Sequence, residues 1–148
     1  MVEIRRYVDA TDRSQVIALW RDVFGYETAH NEPSIAIEKK SGAGDGLFFV
    51  AETEGSVIGT AMAGYDGHRG WLYSVAVRED HRRSGLGSSL VRHAERALAA
   101  TGCMKINLQV LSSNAATAAF YESLGYDVEP RVSMGKVLRE NVPTRREV

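Results

Sequence analysis

The residues best suited to chemistry in this sequence are Arg82 to Gly87, which read Arg-Arg-Ser-Gly-Leu-Gly. They follow the apolar run Trp71–Val77 and precede the amphipathic segment Leu86–Thr101, so they are predicted to link a strand to a helix N-terminus. Backbone N–H groups at a helix start lack intrahelical acceptors and lie at the positive end of the helix dipole. Glycine allows close approach of a ligand, and arginine supplies forked charged donors. The pattern therefore predicts a phosphate-binding loop.

Two familiar phosphate-binding loops do not fit this stretch. A P-loop requires a lysine directly after its last glycine, and none follows Gly85 or Gly87. A dinucleotide-binding loop requires a third glycine where this chain has Leu90. The pattern that remains is Arg-x-x-Gly-x-Gly, for which an ordinary strand-to-helix turn with solvated arginines is the alternative interpretation.

A second group of candidate residues lies downstream, in the segment Asn114–Tyr126. Gly125 fits the C-terminal end of a helix, and most apolar residues of the segment fit a core. Asn114 and Tyr121 are explained less easily, and they lie about two turns apart on the same short helix. The alternatives are that Asn114 caps the helix and that Tyr121 is a core aromatic with its hydroxyl at the surface.

Length, charge and composition narrow the class of protein. With 148 residues, the chain is predicted to form one domain over residues 1–139, followed by a polar tail over 140–148. The formal net charge of −1 gives no basic field for nucleic acid. Cys103 is the sole cysteine, which favours a cytoplasmic location without disulfides. No run is long and apolar enough for a membrane span, residues 1–20 do not resemble a signal peptide, and the histidines lack metal-ligand spacing, so neither a membrane nor a metal is predicted.

Hydrophobic periodicity and turn residues predict the elements that position these candidates. Strands are predicted at Val2–Tyr7, Leu47–Ala51, Ser56–Tyr65, Trp71–Val77, Lys105–Val110, Tyr126–Glu129 and Val132–Leu138. Helices are predicted from Asp9 or Thr11 to just before Gly25, from Pro33 to near Gly42, over Leu86–Thr101, and from Ser113 or Asn114 to Gly125. The order β-α-α-β-β-β-α-β-α-β-β indicates an α/β fold (α+β by some schemes), with a mixed, mostly antiparallel twisted sheet and helices on both faces.

These motifs resemble those of a known family. Val75-Ala76-Val77 followed by Arg82-x-x-Gly85-x-Gly87 resembles motif A of the GNAT superfamily of acyl-CoA-dependent N-acyltransferases. The segment Asn114–Tyr126 resembles motif B of that superfamily, and the hairpin Ala63–Gly70 resembles the bacterial YpeA-type branch, whose members are mostly of undefined substrate. Two motifs in the expected order are more specific than either motif alone.

The resemblance implies acetyl-CoA as a co-substrate and no metal. It assigns to that co-substrate Val75, Val77, Arg82, Arg83, Ser84, Gly85, Leu86, Gly87, Ser88, Asn114 and Tyr121. The strand of Val75 would splay from Lys105–Val110 and pair with pantetheine, while the loop would hold the pyrophosphate. Asn114 would contact the thiol-proximal arm, and Tyr121 would act as the catalytic acid beside the sulfur.

The implied reaction is direct attack of a primary amine, from a small molecule or a peptide, on the thioester. A backbone N–H near Val75 would stabilise the oxyanion. A non-catalytic acyl-CoA sensor using the same loop is the alternative function. A homodimer formed through the last two strands is a further expectation.

The general base and the acceptor stay open. Family members often carry a glutamate just before the residue equivalent to Val75, where this chain has Tyr73 and Ser74. The candidate bases are Glu32, Asp66, His68, Glu79 and a water chain. The expected walls of the acceptor pocket are Tyr26–Pro33, Tyr65–Trp71 and Glu129–Met134. Because a site without an obvious carboxylate suits an amine of low pKa, the sequence favours a peptide N-terminus slightly.

Overall fold

Five strands form one sheet in the computed structural model, which describes residues 1–25 and 32–138. They are β1 (Glu3–Arg6), β2 (Phe48–Thr53), β3 (Ser56–Tyr65), β4 (Gly70–Val77) and β5 (Ile106–Asn107). The strands lie in chain order across the sheet; β1 to β4 pair antiparallel, and β5 runs parallel to β4. The predicted mixed, mostly antiparallel sheet is confirmed.

Besides a short 3-10 helix at Glu79–His81, the described ranges also contain four α-helices. They are α1 (Asp9–Phe24), α2 (Pro33–Ala43), α3 (Leu86–Ala100) and α4 (Ala115–Ser123). Pro33 stands in the first turn of α2, where its missing N–H leaves no acceptor unsatisfied. None of these helices is long and apolar enough to cross a membrane.

The start of α1 differs from the prediction that Asp9 or Thr11 caps the helix. The N-cap is Val8, whose side chain cannot accept a hydrogen bond. Instead, the carboxylate of Asp12 accepts the backbone N–H of Val8 at 2.8 Å, and Asp12 is also paired with Arg5 of β1. This ion pair, in which only Asp12 is fully buried, fixes where the chain turns from β1 into α1 and overrides the usual capping preference.

The two faces of the sheet carry separate apolar clusters because side chains alternate along each strand. Phe48 and Val50 of β2 pack with residues of α1 and α2. Ala51 packs on the opposite face with Ile58 of β3 and Leu90 of α3. The prediction of helices on both faces is therefore confirmed.

The chain divides into two compact units, Met1–Leu108 and Gln109–Val148. In the second unit, Tyr126–Glu129 and Val132–Leu138 form no strand within the described residues, so the prediction of two final strands is wrong. The predicted strand Lys105–Val110 is reduced to the two residues of β5. The exposed side chains of Val128 and Val132 show the reason: alternating apolar residues favour a strand only where a partner strand and a core receive them.

Candidate functional site

The loop before α3 presents a run of free backbone donors. Its residue Gly85 is the N-cap of α3 with φ of 82°, and Arg83 also has a positive φ of 64°. The first backbone hydrogen bond of the helix runs from Ser89 N to Gly85 O at 3.0 Å. From Arg83 to Ser88, no backbone N–H donates to an acceptor among residues 1–25 and 32–138. Left-handed residues followed by a helix start form a concave set of N–H groups suited to an anion.

Internal hydrogen bonds brace this loop against the end of β4. The Arg82 Nε donates to Val77 O at 2.9 Å, and the Ser84 hydroxyl donates to His81 O at 2.6 Å. Leu86 is buried in the apolar cluster that Ala51, Ile58 and Leu90 form beneath α3. The side chains of Ser84 and Leu86 therefore hold the loop in place, and their predicted part in ligand binding falls to their N–H groups. The Arg83 side chain is exposed.

The edge of β4 next to β5 is open for most of its length. β5 pairs with β4 only at Gly70–Ile106 and Trp71–Asn107. From residue 72 to residue 77, β4 has no partner on that side within the described part of the chain. Val75 and Val77 lie in this open stretch, half-buried against the cluster beneath α3. An unpaired strand edge leaves N–H and C=O groups available to an extended ligand.

A bulge interrupts β4 in the same stretch. Thr60 lies opposite Ala76, but Met62 lies opposite Tyr73, so β4 contains one residue more than β3 at this point. Ser74 takes up the extra length with φ of 52°. No residue type in the sequence marks this feature, because glycine and asparagine are the residues typical of a left-handed conformation.

In the second unit, the Asn114 side chain caps α4. Its Oδ1 accepts the backbone N–H of Thr117 at 3.1 Å, which is the capping alternative considered from the sequence. Asn114 and Tyr121 belong to this unit, whereas the loop and the β4 edge belong to the first unit. That both sets meet at one ligand stays a prediction.

Tyr121, the other predicted site residue of the second unit, is buried, with 9% of its surface exposed. Its ring packs edge-on against Phe120 and Tyr126, with centroids 4.9 Å and 5.7 Å away. Burial raises the pKa of Tyr121 to about 12, because it disfavours the charged phenolate. The hydroxyl therefore keeps its proton at neutral pH.

Two of the candidate bases are engaged in local hydrogen bonds. The hydroxyl of Ser34 and the N–H groups of Ser34 and Ile35 donate to Glu32 at the start of α2, and they hold the pKa of Glu32 below its usual range. The N–H groups of Arg69 and His68 donate to Asp66 in the β3–β4 turn and lower the pKa of Asp66. Both carboxylates are therefore weaker bases than free ones.

The positions of the other candidates along the chain also weigh against them. A strand rises about 3.3 Å per residue, so Gly70, where the turn carrying Asp66 and His68 ends, lies roughly 17 Å along β4 from Val75. By the same measure, Glu79 lies at most about 13 Å beyond Val75, where it begins the 3-10 helix Glu79–His81. The part of the predicted acceptor wall at residues 26–31, with Tyr26, lies outside the described residues.

Lys40 is a residue of interest that the sequence analysis missed. Its side chain is 7% exposed, and its ammonium donates to Asp45 at 2.9 Å and to the carbonyl of Ala63. It also lies 3.4 Å from the hydroxyl of Tyr73, directly before the bulge. The side chain of a lysine on a surface helix is normally exposed, so only the tertiary structure shows that Lys40 is buried.

No group of His, Cys, Asp or Glu that could hold a metal ion occurs among the residues described.

Comparisons with known proteins match this chain to one family and to relatives of similar length. Residues 13–126 match the model of the Acetyltransferase (GNAT) family. An acetyltransferase of Yersinia pestis is 37% identical over 137 residues, which cover 93% of this chain and 96% of that protein.

Two solved structures have the same fold. The ribosomal-protein-S18-alanine N-acetyltransferase from Escherichia coli has a TM-score of 0.66 at 26% identity, covering 84% of this chain and 77% of that chain. The aminoglycoside N-acetyltransferase AAC(6')-Iy, solved in complex with CoA, has a TM-score of 0.75 at 19% identity, covering 94% of this chain and 96% of that chain.

Proposed function

Because this chain belongs to the GNAT acetyltransferase family and is an N-acetyltransferase, we propose that it moves the acetyl group of acetyl-CoA to a primary amine by direct attack. The observation that carries the proposal is the run of free N–H groups from Arg83 to Ser88 at the start of α3. Residues 78–82, with the short 3-10 helix Glu79–His81, connect this run to the strand whose open edge suits an extended chain. A diphosphate attached to an amide-containing arm needs both features side by side.

The loop is proposed to bind the diphosphate through backbone donors. Hydrogen bonds to a charged group contribute roughly 1.5–3 kcal/mol each. Several of them, less the cost of association, account for micromolar binding, which corresponds to about −8 kcal/mol. The exposed guanidinium of Arg83 and the remaining nitrogens of Arg82 add charge that complements the phosphates.

The open edge of β4 is proposed to pair with pantetheine and to place the thioester beside the bulge. The N–H of Val75 then donates to the carbonyl oxygen, where negative charge develops as the amine attacks. The tetrahedral intermediate collapses by breaking the C–S bond, and the sulfur leaves as a thiolate.

Tyr121 is proposed to donate a hydrogen bond to the leaving sulfur. With a pKa of about 12 for Tyr121 and of about 8.5 for an ordinary thiol, full proton transfer is uphill by about 5 kcal/mol. A hydrogen bond to the thiolate, with the proton kept on the oxygen, avoids this cost. Asn114 is proposed to contact the arm near the thiol through its amide nitrogen, since its Oδ1 caps α4.

The acceptor is proposed to be an amine of low pKa, such as a peptide N-terminus. An α-amino group titrates near 7.8 and a lysine side chain near 10.4, so the first needs a far weaker base. The lowered pKa values of Glu32 and Asp66 fit such a need. One similar structure is named for acetylating an alanine of a ribosomal protein. Water is the proposed route for the released proton.

Thermal unfolding with acetyl-CoA tests the co-substrate directly. Acetyl-CoA at 100 times its dissociation constant is expected to add about 2.7 kcal/mol to the free energy of unfolding. For a chain of this size, that energy raises the melting temperature by roughly 5–10 °C. The same concentration of free adenine is the control and is expected to leave the melting temperature unchanged. An unchanged melting temperature with acetyl-CoA at millimolar concentration would contradict the proposal.

Replacement of Tyr121 by phenylalanine tests the leaving-group role. We expect kcat to fall about 10- to 100-fold, measured by thiol release, because the thiolate loses its donor. The dissociation constant of acetyl-CoA should change less than about threefold, since the ring and its packing remain. Tyr126→Phe removes a hydroxyl from the same aromatic cluster and is the matched control. Equal loss of kcat in both variants would indicate that the cluster, and not the Tyr121 hydroxyl, matters.

A further inference from the structure

We propose that Thr60 and Trp20 are positioning residues that aim the Val75 N–H at the thioester carbonyl by holding the bulge of β4. This inference rests on the proposed function, in which that N–H stabilises the oxyanion. Neither residue lies on the open edge of β4: Trp20 belongs to α1 and Thr60 to β3. They act through the backbone of Ser74.

The bulge needs such support. Ser74 adopts a φ of 52°, which is unfavourable for a residue with a side chain. A strained residue persists only where its surroundings fix it. The unpaired edge beside it offers no strand to do so, because β5 pairs with β4 only at Gly70 and Trp71. The support must therefore come from β3 and the helix packed on it.

A buried chain of two hydrogen bonds provides this support. The indole N–H of Trp20 donates to the hydroxyl of Thr60 at 2.8 Å, and that hydroxyl lies 2.8 Å from the carbonyl oxygen of Ser74. Trp20 is 3% exposed and Thr60 is fully buried. An indole N–H can only donate, so the hydroxyl proton of Thr60 must go to Ser74 O. Each of the two hydrogen bonds therefore has only one possible donor and one possible acceptor.

These two hydrogen bonds also set the direction of the Val75 N–H, because Ser74 C=O and Val75 N–H belong to the same peptide plane. In a trans peptide, the C=O of one residue and the N–H of the next point in opposite directions. The structure has no cis peptide bond in its described residues. Because Ser74 O points to Thr60 on β3, the N–H of Val75 points away from β3, toward the open side of β4. Without the bulge, the register of β4 would differ by one residue here, and the N–H of Val75 would point toward β3 instead.

The test compares Thr60→Val with Thr60→Ser in the full chain. Valine keeps the shape and loses the hydroxyl, whereas serine keeps the hydroxyl and loses a methyl group. We expect T60V to lower kcat about 10- to 100-fold and T60S to stay within about threefold of wild type, with the dissociation constant of acetyl-CoA nearly unchanged in both. The substrate is the amine that gives the fastest thiol release with the wild type.

An infrared measurement separates positioning from general destabilisation. Acetyl-CoA labelled with ¹³C at the carbonyl is expected to show a lower stretching frequency when bound to wild type or T60S, since the carbonyl accepts a hydrogen bond. That lowering should be lost in T60V. If T60V does not fold, Trp20→Phe replaces it: loss of the indole donor frees the hydroxyl to rotate, and kcat should fall about threefold to tenfold.

Each outcome decides between the two proposals. Wild-type protein that neither binds acetyl-CoA nor releases thiol overturns the proposed function itself. Wild-type activity combined with an unchanged kcat and carbonyl frequency in T60V overturns only the positioning role. A loss of kcat that follows the loss of melting temperature equally in T60V and T60S also overturns it, because a merely structural residue would behave in that way.

Discussion

Replacement of Gly85 by valine is expected to weaken acetyl-CoA binding at least 100-fold. Gly85 has a φ of 82°, which a β-branched residue adopts only with strain of about 1–2 kcal/mol. If the loop shifts to relieve that strain, its N–H groups no longer converge on one anion. Loss of two charge-assisted hydrogen bonds costs roughly 3–6 kcal/mol, and about 2.7 kcal/mol already corresponds to 100-fold. Isothermal titration of acetyl-CoA measures the change.

The chain offers a close control for this variant. Gly55, in the turn between β2 and β3, has the same φ of 82° and, like Gly85, has nothing within 4 Å of an added Cβ. Gly55→Val therefore carries similar backbone strain at a turn outside the loop that precedes α3. It should lower the melting temperature as much as G85V does and leave acetyl-CoA binding unchanged. If both variants bound acetyl-CoA equally well, the loop would not be the diphosphate site.

Replacement of Asp12 by alanine is expected to cost roughly 2–4 kcal/mol of unfolding free energy, because it removes two charge-assisted hydrogen bonds and the acceptor of a backbone N–H. Asp12 is 1% exposed and accepts two hydrogen bonds from Arg5, at 2.8 Å and 3.0 Å, besides the N–H of Val8. Its removal leaves the Val8 N–H without its acceptor, and among the described residues the guanidinium of Arg5 keeps only Glu52 and the carbonyl of Arg6. Since domains are stable by about 5–15 kcal/mol, urea denaturation should detect a large loss.

The exposed carboxylate of Asp9 supplies the control for this loss. Asp9 pairs with Arg13 on the surface of the same helix, where solvent screens the charges. Asp9→Ala is expected to leave the urea midpoint nearly unchanged. A loss in D9A as large as in D12A would show that helix charge, and not the buried pair, causes the effect.

The contribution of Asp12 should also depend on pH in a defined direction. Burial raises the pKa of Asp12, but the hydrogen bonds from Arg5 and Val8 lower it more, so the pKa lies below its usual range. A carboxyl group whose pKa is lowered by folding stabilises the protein above its unfolded pKa of about 3.9 and loses that effect as the pH falls through the folded pKa. The difference in stability between wild type and Asp12→Asn should therefore be constant from about pH 7 to 5 and shrink below about pH 4.

Local signals in the sequence predicted the loop and its flanking elements well. The loop with Gly85 and Gly87 could be predicted from neighbouring residues alone. A strand, a tight turn and a helix start depend on local pattern and on backbone freedom. The bounds of β3 agree with the prediction at both ends, and α3 begins at the predicted Leu86. The antiparallel pairing of β3 with β4 and the parallel pairing of β5 with β4 agree with the predicted hairpin and crossover helix.

Features that depend on partners in other elements were not predicted. The two-residue length of β5 depends on where the chain leaves β4. The N-cap at Val8 depends on partners that are near in the chain but lie on different elements, since Asp12 belongs to α1 and Arg5 to β1. The bulge at Ser74 is another such feature. The need for a glycine at position 59 is a further example. An added Cβ would lie only 2.8 Å from Leu90 Cδ1, which belongs to α3, far along the chain.

The sequence by itself determined the arginine–glycine pattern of the loop and the order of the elements as far as α4, because each depends on residue type and short spacing. The candidate role of Tyr121 came from the family resemblance. Only the tertiary structure decided that Trp20 and Thr60 reach the backbone of Ser74 and that Lys40 is buried beside Tyr73. Those contacts join residues 14 to 40 positions apart in the chain. No local pattern encodes them, since they form only when strands and helices pack against one another.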